Sequence, residues 1–173
     1  MNKINVYEYS GIICPGSVFL VGCFLIFSDI AKALLDMSIG DFGVFIIIAF
    51  CTGHMIQGIA NLFEDISGWP KRRTNKKLKL LFKKDYTEIF AILSQKDNIG
   101  RISVFNRLYG LMRGLCISFL LLALLGWYMD ISGTVLTLLT TCCIICGYRA
   151  WHFSNLYGKE LITLYKTIKK DHK

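Results

Sequence analysis

Four long runs of mostly apolar residues decide what this chain of 173 residues can fold into. They cover residues 11–27, 42–63, 108–129 and 131–148, and Arg113 is the one charged residue within them. A bilayer core of about 30 Å needs about 20 helical residues, so each run qualifies as a span once a turn is added at its ends. The sequence therefore predicts an all-α membrane protein with four transmembrane helices and a small basic cytoplasmic helical region.

The composition favours membrane spans over a soluble helical bundle. Hydrophobic residues make up 54% of the chain, whereas soluble domains contain about 45–50%. A soluble bundle would also need a charged face on each run, and none has one. Pro15 falls in the first turn of the first run, where a missing N–H costs little. With Lys3 and Glu8 in front of it, that run does not read as a cleaved signal peptide.

The distribution of lysine and arginine predicts the orientation. Residues 66–107 carry eleven of them and residues 149–173 carry six, whereas the connection between the first two runs carries only Lys32. Basic loops remain in the cytoplasm, so both termini and the 66–107 segment are expected there. Trp127 and Tyr128 then fit the aromatic belt at the far interface.

We expect four parts: an N-terminal transmembrane hairpin (1–65), a basic cytoplasmic helical segment (66–107), a C-terminal transmembrane hairpin (108–153) and a cytoplasmic C-terminal helix (154–173). The middle part carries a basic amphipathic pattern. Its basic residues either anchor the chain on anionic lipid or contact RNA, DNA or an acidic protein. They are Lys71, Arg72, Arg73, Lys76, Lys77, Lys79, Lys83 and Lys84.

Three helical stripes of polar residues lie at the predicted cytoplasmic ends of the spans. Polar side chains in a span are costly and usually face a bundle interior or a water-filled cavity. Two interpretations stay open: a satisfied network within one protomer, with Glu64 or Asp65 paired to Arg113 or Arg149, or the lining of a passage between protomers. The stripes are His54, Gln57, Asn61 and Glu64; Asn106, Tyr109 and Arg113; and Arg149, His152 and Asn155.

Two further groups of residues have suggestive spacing. Gly110 and Gly114 are four residues apart around Arg113, a spacing that lets another helix approach closely. The seven cysteines all lie in apolar runs, which favours reduced, small packing residues. Cys143 and Cys146 have redox spacing, and we treat a redox or metal role for them as the minor alternative.

Motifs for catalysis are missing from the sequence. It contains no HExxH, no nucleophile elbow and no glycine-rich phosphate loop. We therefore expect no enzyme, no metal and no cofactor. A membrane-embedded enzyme would need His54, Glu64 or His152 to point into one cavity.

Three motifs together resemble a known group. They are Gly-His-x-x-Gln-x-x-x-Asn-x-x-Glu at 53–64, the segment 106–113 entering the third span, and the segment 148–157 leaving the fourth. With the layout of the spans, they resemble small bacterial antiphage-associated membrane proteins, namely the accessory membrane proteins of type VI-B CRISPR systems. One branch of these is described as a HEPN-like oligomeric pore. The Arg-x4–6-His motif of HEPN nucleases is absent, since Arg149 and His152 are too close together.

The resemblance implies a homo-oligomeric, pore-forming or membrane-permeabilising accessory or effector protein of the bacterial inner membrane that acts in antiphage defence. Its partners would be membrane lipids, further copies of the chain, and a cytoplasmic protein or RNA. The alternative is a membrane anchor or scaffold that recruits a cytoplasmic partner through its basic segment.

Overall fold

The computed structural model describes residues 6–27, 39–67 and 100–171, and these residues form four helices joined by short connections or by undescribed segments. The helices are α1 (Val6–Ile26), α2 (Ile39–Ser67), α3 (Arg101–Tyr128) and α4 (Gly133–Asp171). The prediction of an all-helical chain is thus confirmed for the described residues. The predicted basic cluster at 71–84 lies outside them.

Three of the helices are long and apolar enough to cross a membrane. The qualifying stretches are Gly40–Ile66 with 27 residues, Arg101–Tyr128 with 28 and Gly133–Leu164 with 32. The apolar part of α1, Gly11–Ile26, is shorter. The second, third and fourth predicted spans are therefore confirmed as membrane-length apolar helices. The first predicted span, in α1, stays a prediction.

Glycines bring α1 and α2 close together along an antiparallel contact. A Cβ at Gly16 would overlap the Ala49 carbonyl oxygen on α2, and a Cβ at Gly53 would overlap the Ile12 carbonyl oxygen on α1. Farther along, the rings of Phe24 and Phe45 lie 6.5 Å apart. Since the clashing atoms belong to backbone, neither glycine can be replaced without moving a helix.

Helix α1 also packs on α3, and this second contact fixes its position. A Cβ at Gly114 would lie 2.8 Å from Pro15 Cγ, and a Cβ at Gly22 would overlap Leu122. Ile56 and Ala60 of α2 form a buried cluster with Ile117 of α3, with Phe19 of α1 packed against it. One part of the core therefore lies where α1, α2 and α3 meet, and α4 contributes further buried residues, including Ala150 and Leu161.

A tight turn joins α3 to α4. The Ile131 N–H donates to the Gly126 carbonyl at 3.0 Å, and the Asp130 N–H donates to the Trp127 carbonyl at 3.3 Å. This is the Schellman arrangement, with Asp130 at the left-handed position usually taken by glycine (φ 53°). Helix α4 then runs back along α3 and continues without a break to Asp171.

The predicted position of Pro15 is wrong. The apolar run begins at Gly11, but the helix begins at Val6, so Pro15 lies in the interior of α1 and not in its first turn. An interior proline has no N–H to give to the carbonyl four residues earlier, here that of Gly11. That carbonyl therefore needs another donor, and α2 supplies one.

Candidate functional site

Gln57 of α2 connects three helices through a single amide. Its Nε2 donates to the Gly11 carbonyl of α1 and to the Gly110 carbonyl of α3, both at 3.0 Å. The first of these carbonyls is the one that Pro15 leaves without a helical donor. Gln57 thus replaces the hydrogen bond that α1 lacks and joins α1 to α3.

Arg113 of α3 completes the polar group. Its Nη1 forms a hydrogen-bonded ion pair with Glu64 Oε2, and its Nη2 donates to Gln57 Oε1 at 3.2 Å. The guanidinium carbon lies 5.2 Å from the centroid of the Tyr109 ring, within cation–π range. We call Gln57, Glu64, Tyr109 and Arg113 the inner polar network.

The inner polar network is nearly closed to solvent. The side chains of Arg113 and Glu64 each have a relative solvent accessibility of 14%, and that of Tyr109 is 3%. A buried charge without a partner is strongly destabilising. Arg113 and Glu64 each supply the opposite charge that the other needs at this buried position. The network is suited to locking helices together.

A hydrogen bond from a serine hydroxyl also connects α1 and α3. Ser118 Oγ on α3 lies 2.9 Å from the Pro15 carbonyl oxygen and 3.1 Å from the Gly114 carbonyl oxygen. Ser118 is completely buried. The Gly114 carbonyl belongs to α3 itself, so the bond to the Pro15 carbonyl is the one that connects α3 to α1.

The first polar stripe, His54, Gln57, Asn61 and Glu64 of α2, divides between two faces of the helix. Gln57 and Glu64 point into the protomer, whereas His54 and Asn61 are exposed. The His54 ring lies edge-on to Phe50, with centroids 4.5 Å apart, and among the described residues no hydrogen bond reaches His54 or the Asn61 amide. These two polar residues therefore stand on the outer surface of a membrane-length helix.

The remaining predicted residues do not join the inner network by any hydrogen bond or ion pair among the described residues. Asn106, His152 and Asn155 are half-buried, and Arg149 is exposed. A partly exposed ion pair links Arg101, the first residue of α3, to Glu160 of α4 at 3.7 Å. The third stripe is thus separate from the first two.

The two predicted packing glycines differ. A Cβ at Gly114 would lie 2.6 Å from Gln57 Nε2, so Gly114 is a close-packing position. At Gly110 a Cβ would meet no heavy atom of the described residues within 4 Å, and its carbonyl serves as an acceptor for Gln57 instead.

All seven cysteines are free thiols. Cys116 of α3 and Cys143 of α4 lie with their sulfurs 3.7 Å apart. Within residues 6–27, 39–67 and 100–171, no three His, Cys, Asp or Glu side chains are placed to hold a metal ion. His54 and Glu64, two of the residues that a membrane-embedded enzyme would need in one cavity, lie on different faces of α2.

Several residues that build the site were not predicted for that role. Pro15, Gly16, Gly53 and Ser118 hold the α1 junction. A signal for the α1–α2 contact was present, since Ala49 and Gly53 have the small-x-x-x-small spacing. Nothing in the sequence indicated that Ser118 donates a hydrogen bond to Pro15, because that bond depends on how α1 packs against α3.

Comparisons with protein-family models, curated proteins and solved structures find no match to this chain. The resemblance to CRISPR accessory membrane proteins therefore depends only on its three motifs and the span layout.

Proposed function

We propose that the protein is a homo-oligomer that permeabilises the bacterial inner membrane, as an accessory or effector protein in CRISPR-linked antiphage defence. The observation that carries the proposal is the exposure of His54 and Asn61 on α2. His54 lies fourteen residues from Gly40 and twelve from Ile66, close to the middle of the apolar stretch. A polar group at the depth of His54 needs a polar surrounding, which a water-filled passage between copies would provide. Asn61 is five residues from Ile66, nearer the predicted cytoplasmic end, where such a passage would open.

The proposal includes α1 as a fourth span, with both termini in the cytoplasm. Helix α1 has 21 residues, about 32 Å at 1.5 Å per residue, which is close to the thickness of the hydrocarbon core. It contacts α2 and α3 between Ile12 and Gly22. Wherever α2 and α3 cross the bilayer, α1 is therefore carried into it with them.

The inner polar network has a structural role in this proposal. Because Gln57, Glu64 and Arg113 bind one another, they are not available to line the passage. They hold α2 so that its other polar residues face outward. The lining is therefore assigned to His54 and Asn61 alone.

Permeability can be measured directly on purified protein in liposomes that hold a small fluorescent dye, and in planar bilayers. We expect wild-type protein to release dye and to give discrete conductance steps. The double variant His54→Leu/Asn61→Leu should lose both. Its matched control is Met55→Ala/Leu62→Ala, which changes exposed apolar residues of the same helix and should keep both. Wild-type protein that neither releases dye nor conducts, with or without cytoplasmic RNA, would contradict the proposal.

The scaffold function is the second candidate, and it depends on the eight basic residues between Lys71 and Lys84. Replacing them with glutamine separates the candidates. Loss of binding to a cytoplasmic partner with no change in dye release favours the scaffold.

A further inference from the structure

Six exposed residues of α2 follow one another at spacings of three and four. Val44 and Ile47 keep 55% and 65% of their exposure, and the other four are also classed as exposed. The buried face of the same helix, which includes Ala49, Gly53 and Ile56, lies on the opposite side. We name the exposed row the α2 seam: Val44, Ile47, Cys51, His54, Gly58 and Asn61.

Alternating spacings of three and four are typical of helices that pack on one another at a shallow angle. The mean repeat of 3.5 residues keeps one row facing a neighbouring helix over several turns, with a crossing angle near +20°. Left-handed packing of this kind is also the commonest in membrane bundles. The seam continues for more than four turns, from Val44 to Asn61, so it matches the length of a helix–helix contact.

The chemistry of the seam favours a protein neighbour over lipid. His54 and Asn61 carry donors and acceptors that hydrocarbon cannot satisfy, and each can pair with the same residues on another helix. Gly58 lies between them, and a Cβ there would meet nothing within 4 Å among the described residues. A second helix can therefore approach closely at this point. The flanking exposed residues, Met55 and Leu62, suit lipid.

We propose that the α2 seam is the surface through which copies of this chain associate, with their α2 helices parallel in a ring around a symmetry axis, so that the seam residues of neighbouring copies meet next to the axis and His54 and Asn61 border the passage along it. Every copy inserts with the same topology, so the same residues meet at the same depth. Cys51 of one copy then lies beside Cys51 of the next. The inference deepens the proposed function and rests on its homo-oligomeric part.

Cys51 allows a test that uses a native residue. All other cysteines are replaced by serine, and membranes that contain this variant are treated with copper phenanthroline and oxygen. Two thiols lose two electrons and two protons to this oxidant and form one disulfide. We expect a dimer on a non-reducing gel, and loss of that dimer when reductant is added. The matched control has Cys51→Ser with Phe63→Cys, an exposed position on another face of α2, and should give no dimer.

A second variant checks the packing without disturbing the fold of one copy. Gly58→Leu adds bulk where the protomer has open space, so the chain should fold but lose the Cys51 dimer. Gly11→Leu is the control, because a Cβ there also meets nothing within 4 Å among the described residues, and it should keep the dimer.

The outcomes separate the two proposals. Absence of the Cys51 dimer, or an equal dimer from Phe63→Cys, overturns the seam even if dye release persists. A Cys51 dimer that Gly58→Leu removes supports the seam even if no dye is released, and in that case only the permeabilising function fails.

Discussion

Helix α2 has two faces that both carry polar residues, and the two faces differ in how those residues are satisfied. On the inner face, Gln57 and Glu64 are bound by α1 and α3 through hydrogen bonds and an ion pair. On the outer face, His54 and Asn61 are exposed. The inner residues stabilise one copy of the chain. In the assembly proposed above, the outer residues instead contact or line what lies between copies, so polar residues of one helix would serve folding on one side and assembly on the other.

The largest effect is expected when the buried ion pair is broken. Arg113→Leu leaves the largely buried Glu64 carboxylate without an opposite charge, which should lower the free energy of unfolding by about 3–5 kcal/mol. The melting temperature in mild detergent reports this loss. Arg101→Leu is the control, because its pair with Glu160 is exposed and contributes about 0–1 kcal/mol. Equal melting temperatures for the two variants would show that the inner face does not stabilise the fold.

Close packing on the inner face gives the next effect. Gly53→Ala places a methyl group against the Ile12 carbonyl and should cost about 3 kcal/mol, because backbone has to move. Gly58→Ala on the outer face should be neutral or stabilising by up to about 1 kcal/mol, since alanine favours a helix. Denaturant titration of both variants measures the difference. Similar losses at both glycines would remove the distinction between the faces.

The amides Gln57 and Asn61 provide the most direct comparison. Gln57→Leu leaves the Gly11 carbonyl without a donor and should cost about 2 kcal/mol of protomer stability. Asn61→Leu should leave protomer stability unchanged and reduce the oligomer mass in light scattering. A stability loss from Asn61→Leu as large as that from Gln57→Leu would mean that both amides serve folding.

The smallest effect is expected at the α3–α4 turn. Asp130 has φ 53°, a left-handed conformation that glycine adopts without strain. Asp130→Gly should therefore stabilise the chain by about 1 kcal/mol and leave oligomer mass unchanged. Thermal melting and light scattering on one sample check both parts. A destabilised variant would mean that the aspartate side chain supports the turn.

The sequence predicted the helices better than their ends. The apolar runs 42–63 and 108–129 correspond to α2 and α3. The composition of residues 95–107 also indicated a turn up to Gly100 and a helix from Arg101, where α3 begins, whereas α2 begins at Ile39, before its apolar run. Helices continue past the apolar run because their backbone hydrogen bonds do not depend on side-chain polarity. The same error placed Pro15 in a first turn, although α1 begins at Val6.

The sequence predicted which residues belong to the candidate site but not which of them bind one another. The spacing placed His54, Gln57, Asn61 and Glu64 on one side of α2. In the structure that side includes the edge of the buried face, so Gln57 and Glu64 are partly buried whereas His54 and Asn61 are exposed. Sequence reasoning left open whether Glu64 or Asp65 paired with Arg113 or Arg149. Those choices depend on the rotation and depth of each helix, which side-chain spacing alone does not determine.

The sequence by itself determined the helical character of the described residues and the three membrane-length apolar helices, because hydropathy and run length are local properties. The tertiary structure alone decided which polar residues bind one another and which are exposed. A hydrogen bond such as that from Gln57 to the Gly11 carbonyl joins residues 46 positions apart. It exists only because a proline removed a donor on one helix where glycines allowed another helix to approach.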